Sequence, residues 1–166
     1  MGRAALLASE LPFREVIGIE LNSTLVRIAR KNVSTWRAQK RGQSPIAVVE
    51  GDAVEFSFPE DPCLVFLFNP FGATVMRRLL KKLAATFANR PRQLDLLYVN
   101  NEQEAIFERQ RGFTRLFLGQ IRRSRADAIA DHTIMANQPD GEYESANHED
   151  CSIWRWVGPK IQKSMK

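Results

Sequence analysis

The feature that most constrains the fold is the apolar run at residues 65–68 (Val-Phe-Leu-Phe), which stops at Asn69, Pro70 and Phe71. Near-continuous hydrophobic runs are typical of parallel strands, because helices cover both faces of such sheets. Ligands bind just beyond the carboxyl ends of these strands. Pro70 fixes its own φ and keeps Asn69 out of the helical region, so the step is stiff. We therefore predict a functional Asn-Pro-Phe step at the ligand-binding edge of a parallel sheet.

The rest of the chain alternates between helical and strand patterns, which favours a mainly parallel α/β sheet. The predicted strands are residues 16–20, 46–50, 63–68, 94–99 and 113–118, with a final antiparallel strand at 152–157. The predicted helices are residues 3–11, a helix capped by Ser23 that runs to Trp36, one that follows Gly72 and runs to Phe87, and residues 102–111. Residues 119–150 have no firm period.

Composition sets broad bounds. The chain has 166 residues, of which 44% are hydrophobic and 26% charged, so one ordinary domain with a real core is expected. No apolar run approaches the roughly 20 residues that cross a bilayer. Two cysteines make no disulfide framework, and a cytoplasmic location is expected. The net charge of +5 is spread over several segments, which favours solvated helix faces over a dedicated nucleic-acid surface.

Three strand ends carry the residues of a resemblance. Glu20 ends one predicted strand, Gly51-Asp52-Ala53 follows the next, and Asn69-Pro70-Phe71 follows the third. This succession resembles the class I S-adenosylmethionine-dependent methyltransferases. The resemblance implies a Rossmann-like fold, with helices on both faces of a mainly parallel sheet and a C-terminal antiparallel strand. It covers residues 2–118 in register and reaches residue 157 more loosely.

The resemblance also implies roles. Glu20 would accept hydrogen bonds from the ribose hydroxyls of S-adenosylmethionine, and Asp52 would contact the adenine amino group. Gly2, Leu21, Ala53 and Asn69 would complete the cofactor site. Asn69, Pro70 and Phe71 would be the catalytic residues. They resemble the Asn/Asp-Pro-Pro-aromatic motif of enzymes that methylate nitrogen, although one proline is missing and Phe71 replaces the frequent tyrosine or tryptophan.

The start of the chain departs from that family. A first strand and a glycine-rich loop should precede the first helix, whereas this chain enters that helix at Met1-Gly2-Arg3. Glu20 follows Gly2 by about 18 positions, close to the roughly 20 expected between loop and ribose acid. We therefore interpret Met1 as an internal methionine, the chain as a fragment, and the central strand of the sheet as absent. Its neighbours should have open edges, and cofactor binding should suffer. Residues 1–158 would be the methyltransferase-like domain and 159–166 a disordered tail.

Simpler interpretations of the same residues remain open. Glu20 also fits a solvated strand end or a nicotinamide site, Asp52 a turn, and Phe71 a core residue. His148, Glu149, Asp150 and Cys151 are adjacent and lack the spacing of a zinc site, so no metal is expected. His132 is interpreted as a surface residue.

The leading hypothesis is methyl transfer from S-adenosylmethionine to an unidentified acceptor, with a preference for nitrogen. A protein or small-molecule acceptor is favoured over nucleic acid, no membrane partner is expected, and the oligomeric state stays open. The main alternative is a non-catalytic remnant or interaction module with a methyltransferase fold. A nicotinamide-dependent oxidoreductase is disfavoured, because Asn69-Pro70-Phe71 has no role in hydride transfer.

Overall fold

The computed structural model describes residues 2–125, 129 and 148–159, and its contacts divide the chain into two compact units, residues 1–57 and 58–166. The first unit contains α1 (Arg3–Ala8), β1 (Val16–Glu20), α2 (Ser23–Ala38) and β2 (Ile46–Glu50). The second contains β3 (Cys63–Phe68), α3 (Ala73–Thr86), β4 (Leu94–Val99), α4 (Glu104–Arg109), β5 (Phe113–Arg122) and β6 (His148–Trp156). The predicted α/β class is confirmed. His132, Met1 and the expected tail from residue 160 onward lie outside the described residues.

In the first unit, β1 and β2 form a two-stranded parallel sheet in which Val16 pairs with Ile46 and Glu20 with Glu50. Helix α1 is shorter than expected and ends at Ala8. Ser9 follows, and its buried hydroxyl donates to the Leu6 carbonyl at 2.6 Å. The Ser9 oxygen in turn accepts from the Trp36 indole of α2 at 3.2 Å, so this polar group is satisfied without water.

The residue that caps helix α2 lies one position before the predicted cap. The Asn22 side chain, not that of Ser23, accepts hydrogen bonds from the backbone N–H groups of Thr24 and Leu25, at 2.9 and 3.2 Å. Asparagine and serine cap helices about equally well. Because Asn22 holds the extended backbone that a cap requires, Ser23 becomes the first helical residue.

The second unit is built on a four-stranded sheet with the order β3-β4-β6-β5. Strands β3 and β4 are parallel, and β6 is antiparallel to both β4 and β5. The antiparallel C-terminal strand is thus confirmed, and it begins at His148, four residues before the predicted start.

Helices α3 and α4 cover one face of this sheet. Leu96 and Trp154 are directly paired on that face and buried. Phe107 of α4 stacks on Tyr98 with ring centroids 5.2 Å apart. The Trp156 indole donates to the Phe87 carbonyl at the end of α3 at 2.7 Å. These contacts place the core between the helices and the sheet.

One edge of β1 and one edge of β3 have no strand partner among the described residues. The outer edge of β2 differs, because arginine side chains of α2 donate to its carbonyl oxygens. On β3, Leu64, Phe66 and Phe68 remain exposed. The open edges of β1 and β3 leave backbone N–H and C=O groups free to pair. That they are neighbours of an absent central strand stays a prediction.

Candidate functional site

The candidate residues fall in both units. Gly2, Glu20, Leu21, Asp52 and Ala53 belong to the first, at or near the carboxyl ends of its parallel strands or at the start of α1. Asn69, Pro70 and Phe71 belong to the second, where they follow β3.

Glu20 and Asp52 lie at the same end of the two-stranded sheet. Strands β1 and β2 run parallel with Glu20 paired to Glu50, and the Gly51 N–H donates to the Glu20 carbonyl at 3.0 Å. This bond extends the ladder by one step and brings the Gly51-Asp52 turn next to the end of β1. The arrangement agrees with the ligand edge expected for parallel strands.

In each of the two carboxylates, one oxygen accepts a hydrogen bond from a nearby backbone N–H group. One oxygen of Glu20, Oε1, accepts from the Asn22 N–H at 2.8 Å. Asp52 Oδ1 accepts from the Val54 N–H at 2.8 Å, and the Asp52 carbonyl accepts from the N–H groups of Glu55 and Phe56. The turn expected at Asp52 is therefore present. Each carboxylate retains a second oxygen that can accept from a ligand.

Gly2 precedes α1 in a conformation that suits glycine. Its φ is +78°, and a Cβ at this position would come within 3.3 Å of the Ala29 Cβ on α2. A left-handed φ and close helix packing both disfavour a side chain. Leu21 is 73% exposed immediately after β1. Ala53 is partly exposed beside Asp52.

In the second unit each of the two parallel strands is followed by an asparagine with positive φ. Asn69 has φ +34° and Asn100 has φ +51°. The two positions are neighbours, because Phe68 pairs with Val99 and the Asn69 N–H donates to the Val99 carbonyl at 3.1 Å. Asparagine tolerates the left-handed region better than most residues. Two side-chain amides thus leave the same edge of the sheet at adjacent strands.

The Asn69 side chain is held by a buried tyrosine. The Tyr98 hydroxyl donates to Asn69 Oδ1 at 3.1 Å and accepts from the Gln103 N–H, also at 3.1 Å. Burial is the main reason that the pKa of Tyr98 is raised, and Glu102 and Glu104 add to it; the Gln103 hydrogen bond opposes it. The phenol therefore stays protonated and can donate. A chain of hydrogen bonds from Gln103 through Tyr98 fixes the orientation of the Asn69 amide.

Sequence reasoning missed Tyr98, because a tyrosine inside an apolar strand is typical of core packing. The signal available was its hydroxyl, since a buried Tyr O–H nearly always has a partner.

Asn101, the residue after Asn100, donates from its side-chain amide to Glu104 Oε2, which also accepts from the Ser152 hydroxyl at 2.6 Å.

Pro70 is exposed and Phe71 is partly exposed after β3. Phe71 is therefore not a fully buried core residue. Gly72 then precedes α3 with an extended backbone. The Asn-Pro-Phe step leaves an aromatic ring partly accessible next to an oriented amide.

Two kinds of site are not found in the described part of the chain. No group of three metal-binding side chains comes together there. None of the helices that the structure describes is long and apolar enough to cross a membrane.

Comparison by sequence finds no relatives: no protein-family model matches the chain, and no curated protein matches it. Comparison by structure finds solved proteins of similar fold. Sp1610 of Streptococcus pneumoniae, a candidate tRNA (m1A22) methyltransferase, matches with a TM-score of 0.62 and 14% identity over 98% of this chain and 62% of its own.

Two further solved structures are similar. The [4+2]-cyclase SpnF matches with a TM-score of 0.59 and 15% identity over 95% of this chain and 71% of its own. The N-methyltransferase NodS of Bradyrhizobium japonicum WM9, solved with S-adenosyl-L-homocysteine, matches with a TM-score of 0.52 and 14% identity. That match covers 86% of this chain and 66% of NodS.

The chain thus spans about 62% of the length of Sp1610. Identities of 14–15% establish shape and not activity, and SpnF is a cyclase by name. The fold of this chain is that of the class I S-adenosylmethionine-dependent methyltransferases.

Proposed function

We propose that the chain transfers a methyl group from S-adenosylmethionine to a nitrogen atom of its substrate. The observation that carries the proposal is the amide of Asn69, held by Tyr98 at the carboxyl end of β3 and followed by Pro70 and Phe71. The methyltransferase fold supports the reaction type, and this step supports nitrogen as the acceptor atom.

The proposed cofactor residues suit the groups they would bind. The second oxygen of Glu20 can accept from ribose hydroxyls, and the second oxygen of Asp52 from the adenine amino group. Leu21 and Ala53 follow these strand ends, and Gly2 offers a position without a side chain. When bound, S-adenosylmethionine supplies a methyl group on a positively charged sulfur.

The proposed chemistry depends mainly on positioning. The side-chain carbonyl oxygen of Asn69 and a neighbouring backbone carbonyl would accept hydrogen bonds from the N–H groups of the target nitrogen. The lone pair of that nitrogen would then point at the methyl carbon. The N–CH3 bond would form as the S–CH3 bond breaks, with the electron pair of the S–CH3 bond left on sulfur and the proton of the methylated nitrogen released to solvent. Holding two groups in line can supply much of the rate enhancement. Phe71 would pack against the target.

One observation favours the alternative of a non-catalytic module. Glu20 and Asp52 each have one carboxylate oxygen engaged by the backbone of their own turn. Such bonds would be made whether or not a cofactor binds. The alternative therefore predicts that both side chains matter for the turn alone.

Calorimetry with S-adenosylmethionine and S-adenosyl-L-homocysteine separates these two possibilities. Glu20→Ala and Asp52→Asn should each weaken binding by about 1–3 kcal/mol, the typical cost of a lost charged hydrogen-bond partner. Glu50→Ala is the matched control, because Glu50 is exposed at the end of β2 directly beside Glu20. Equal effects of Glu20→Ala and Glu50→Ala would contradict the assignment. Variants that lower only the melting temperature and leave the affinity for the methyl donor unchanged would favour the non-catalytic module.

A transfer assay with radiolabelled methyl donor and fractionated lysate tests the acceptor. Asn69→Ala should lower kcat by roughly 10²-fold, the scale of misplacing a reacting group, while donor affinity changes little. A labelled product methylated on carbon or oxygen, or a variant with full rate, would contradict nitrogen as the acceptor and leave methyl transfer in place.

A further inference from the structure

Helix α2 carries a one-sided set of charges that the proposed methyl transfer does not use. The helix contains no acidic residue, and its basic residues are Arg27, Arg30, Lys31 and Arg37. All of these are exposed, and their spacing of three, four and seven places them on one side of the helix. Val26, Ala29 and Val33 of the same helix are buried, and Val33 adjoins Arg30 and Arg37.

Two of these arginines line a cavity of about 280 Å³ in the first unit. Its walls are Arg30, Val33, Ser34, Arg37, Ile46 and Val48. This volume is just below the roughly 300–1,000 Å³ typical of small-molecule sites, so the cavity suits a small group. The lining includes two guanidinium groups and one hydroxyl, and no carboxylate.

The backbone of β2 holds both guanidinium groups in place. Arg30 donates from Nε and Nη2 to the Val48 carbonyl at 3.3 and 3.0 Å. Arg37 donates from Nη2 to the Ile46 carbonyl at 2.6 Å. A guanidinium has five N–H donors, so each arginine keeps others for a ligand. The carbonyl partners of both guanidinium groups are neutral, so these bonds do not offset the positive charges.

We propose that this cavity is a binding site for a phosphate group. Ser34 lies one helical turn from both Arg30 and Arg37, which places it on the same side of α2 as both arginines, and it lines the same cavity. Arginine matches phosphate oxygens through paired N–H donors. Prior fixation by β2 reduces the entropy lost on binding. The phosphate belongs to a free phosphate compound or to a nucleic-acid backbone, which share this chemistry.

A purely structural role is the competing explanation, since the same bonds cap the outer edge of β2. Ser34→Asp separates the two roles, because it adds a negative charge to the cavity and removes neither arginine–carbonyl contact. The probes are inorganic phosphate, followed by NMR of the arginine Nε–H signals, and a short single-stranded RNA, followed by fluorescence anisotropy. Ionic strength is held constant because salt screens surface charge.

We expect phosphate to shift the Arg30 and Arg37 signals, and Ser34→Asp to weaken binding roughly tenfold, as expected when a charged contact is lost or opposed. Arg27→Gln, on the same helix but outside the cavity lining, should change affinity less than about twofold, as a surface charge does. RNA that binds more tightly than inorganic phosphate indicates a nucleic-acid source, and equal or weaker binding indicates a free phosphate compound.

Unshifted arginine signals would overturn the proposal. So would equal losses from Arg27→Gln and Ser34→Asp, because these would show diffuse attraction to the helix. The probes contain no methyl donor, so these outcomes do not depend on whether the chain transfers methyl groups.

Discussion

Replacement of Tyr98 by phenylalanine tests the hydrogen-bond chain behind the Asn-Pro-Phe step. The ring is fully buried and stacks on Phe107, so Tyr98→Phe keeps the packing and removes only the hydroxyl. Two bonds are lost, to Asn69 Oδ1 and from the Gln103 N–H. A buried polar group left without a partner costs about 1–3 kcal/mol. The free energy of unfolding should fall by about that amount.

Urea denaturation measures this loss, and NMR of the Asn69 side-chain amide measures its orientation. We expect its two N–H signals to shift and broaden in Tyr98→Phe, since the fixed partner is gone. The control is Thr114→Val, which removes an exposed hydroxyl from β5 and should change stability by less than about 0.5 kcal/mol. Unchanged stability together with unchanged Asn69 signals would refute the reasoning that Tyr98 positions Asn69.

The same tyrosine predicts a pH dependence of stability. The pKa of Tyr98 is raised in the folded chain from an ordinary value of 10.0, chiefly by burial. The unfolded chain therefore loses this proton first as the pH rises. The stabilisation is fully present below pH 10 and is lost progressively above it. Tyr98→Phe should flatten this part of the curve in urea denaturation between neutral and alkaline pH.

Three further predictions follow from packing, burial and open edges. Gly112→Ala should lower the free energy of unfolding by about 1–3 kcal/mol, since φ is +92° and a Cβ would overlap the Trp156 ring. The control Gly51→Ala should not lower it, because there is open space around Gly51. Equal urea denaturation curves for the two variants would contradict this prediction. Burial raises the pKa of Cys63, so at pH 8 iodoacetamide should modify Cys63 more slowly in the folded chain than in the chain unfolded by urea. Equal rates in the two states would argue against burial. Static light scattering should show association that Phe66→Lys reduces, because Phe66 is exposed on the open-edged β3; a monodisperse parent chain would count against it.

Strand positions could be predicted from the sequence where burial requires an apolar run. The runs at Val16–Glu20, Ile46–Glu50, Cys63–Phe68 and Leu94–Val99 are strands with the predicted bounds. The polar residue that ends or follows each run marks the edge where the candidate site residues lie. Local composition was sufficient here, because parallel strands are typically near-continuous apolar runs.

The antiparallel strands were harder to delimit. Strand β5 continues to Arg122 and β6 begins at His148, where Gln120 pairs with Asp150 and Arg122 with His148. These are polar residues with no strand pattern of their own. Their extended backbone depends on the partner strand, which is a long-range property that single-sequence patterns do not contain. The division into two sheets is also visible only from the pairing.

For the candidate site, the strand-end residues could be predicted from the sequence, whereas their hydrogen-bond partners depend on tertiary contacts. Glu20, Asp52 and Asn69 stand where an apolar run gives way to polar residues, and each lies at a strand end or in the turn after it. The bond from Tyr98 to Asn69 joins neighbouring strands across 29 positions of chain. Nothing in either local sequence specifies this contact. It exists because parallel pairing of β3 and β4 places the two side chains together at one edge of the sheet.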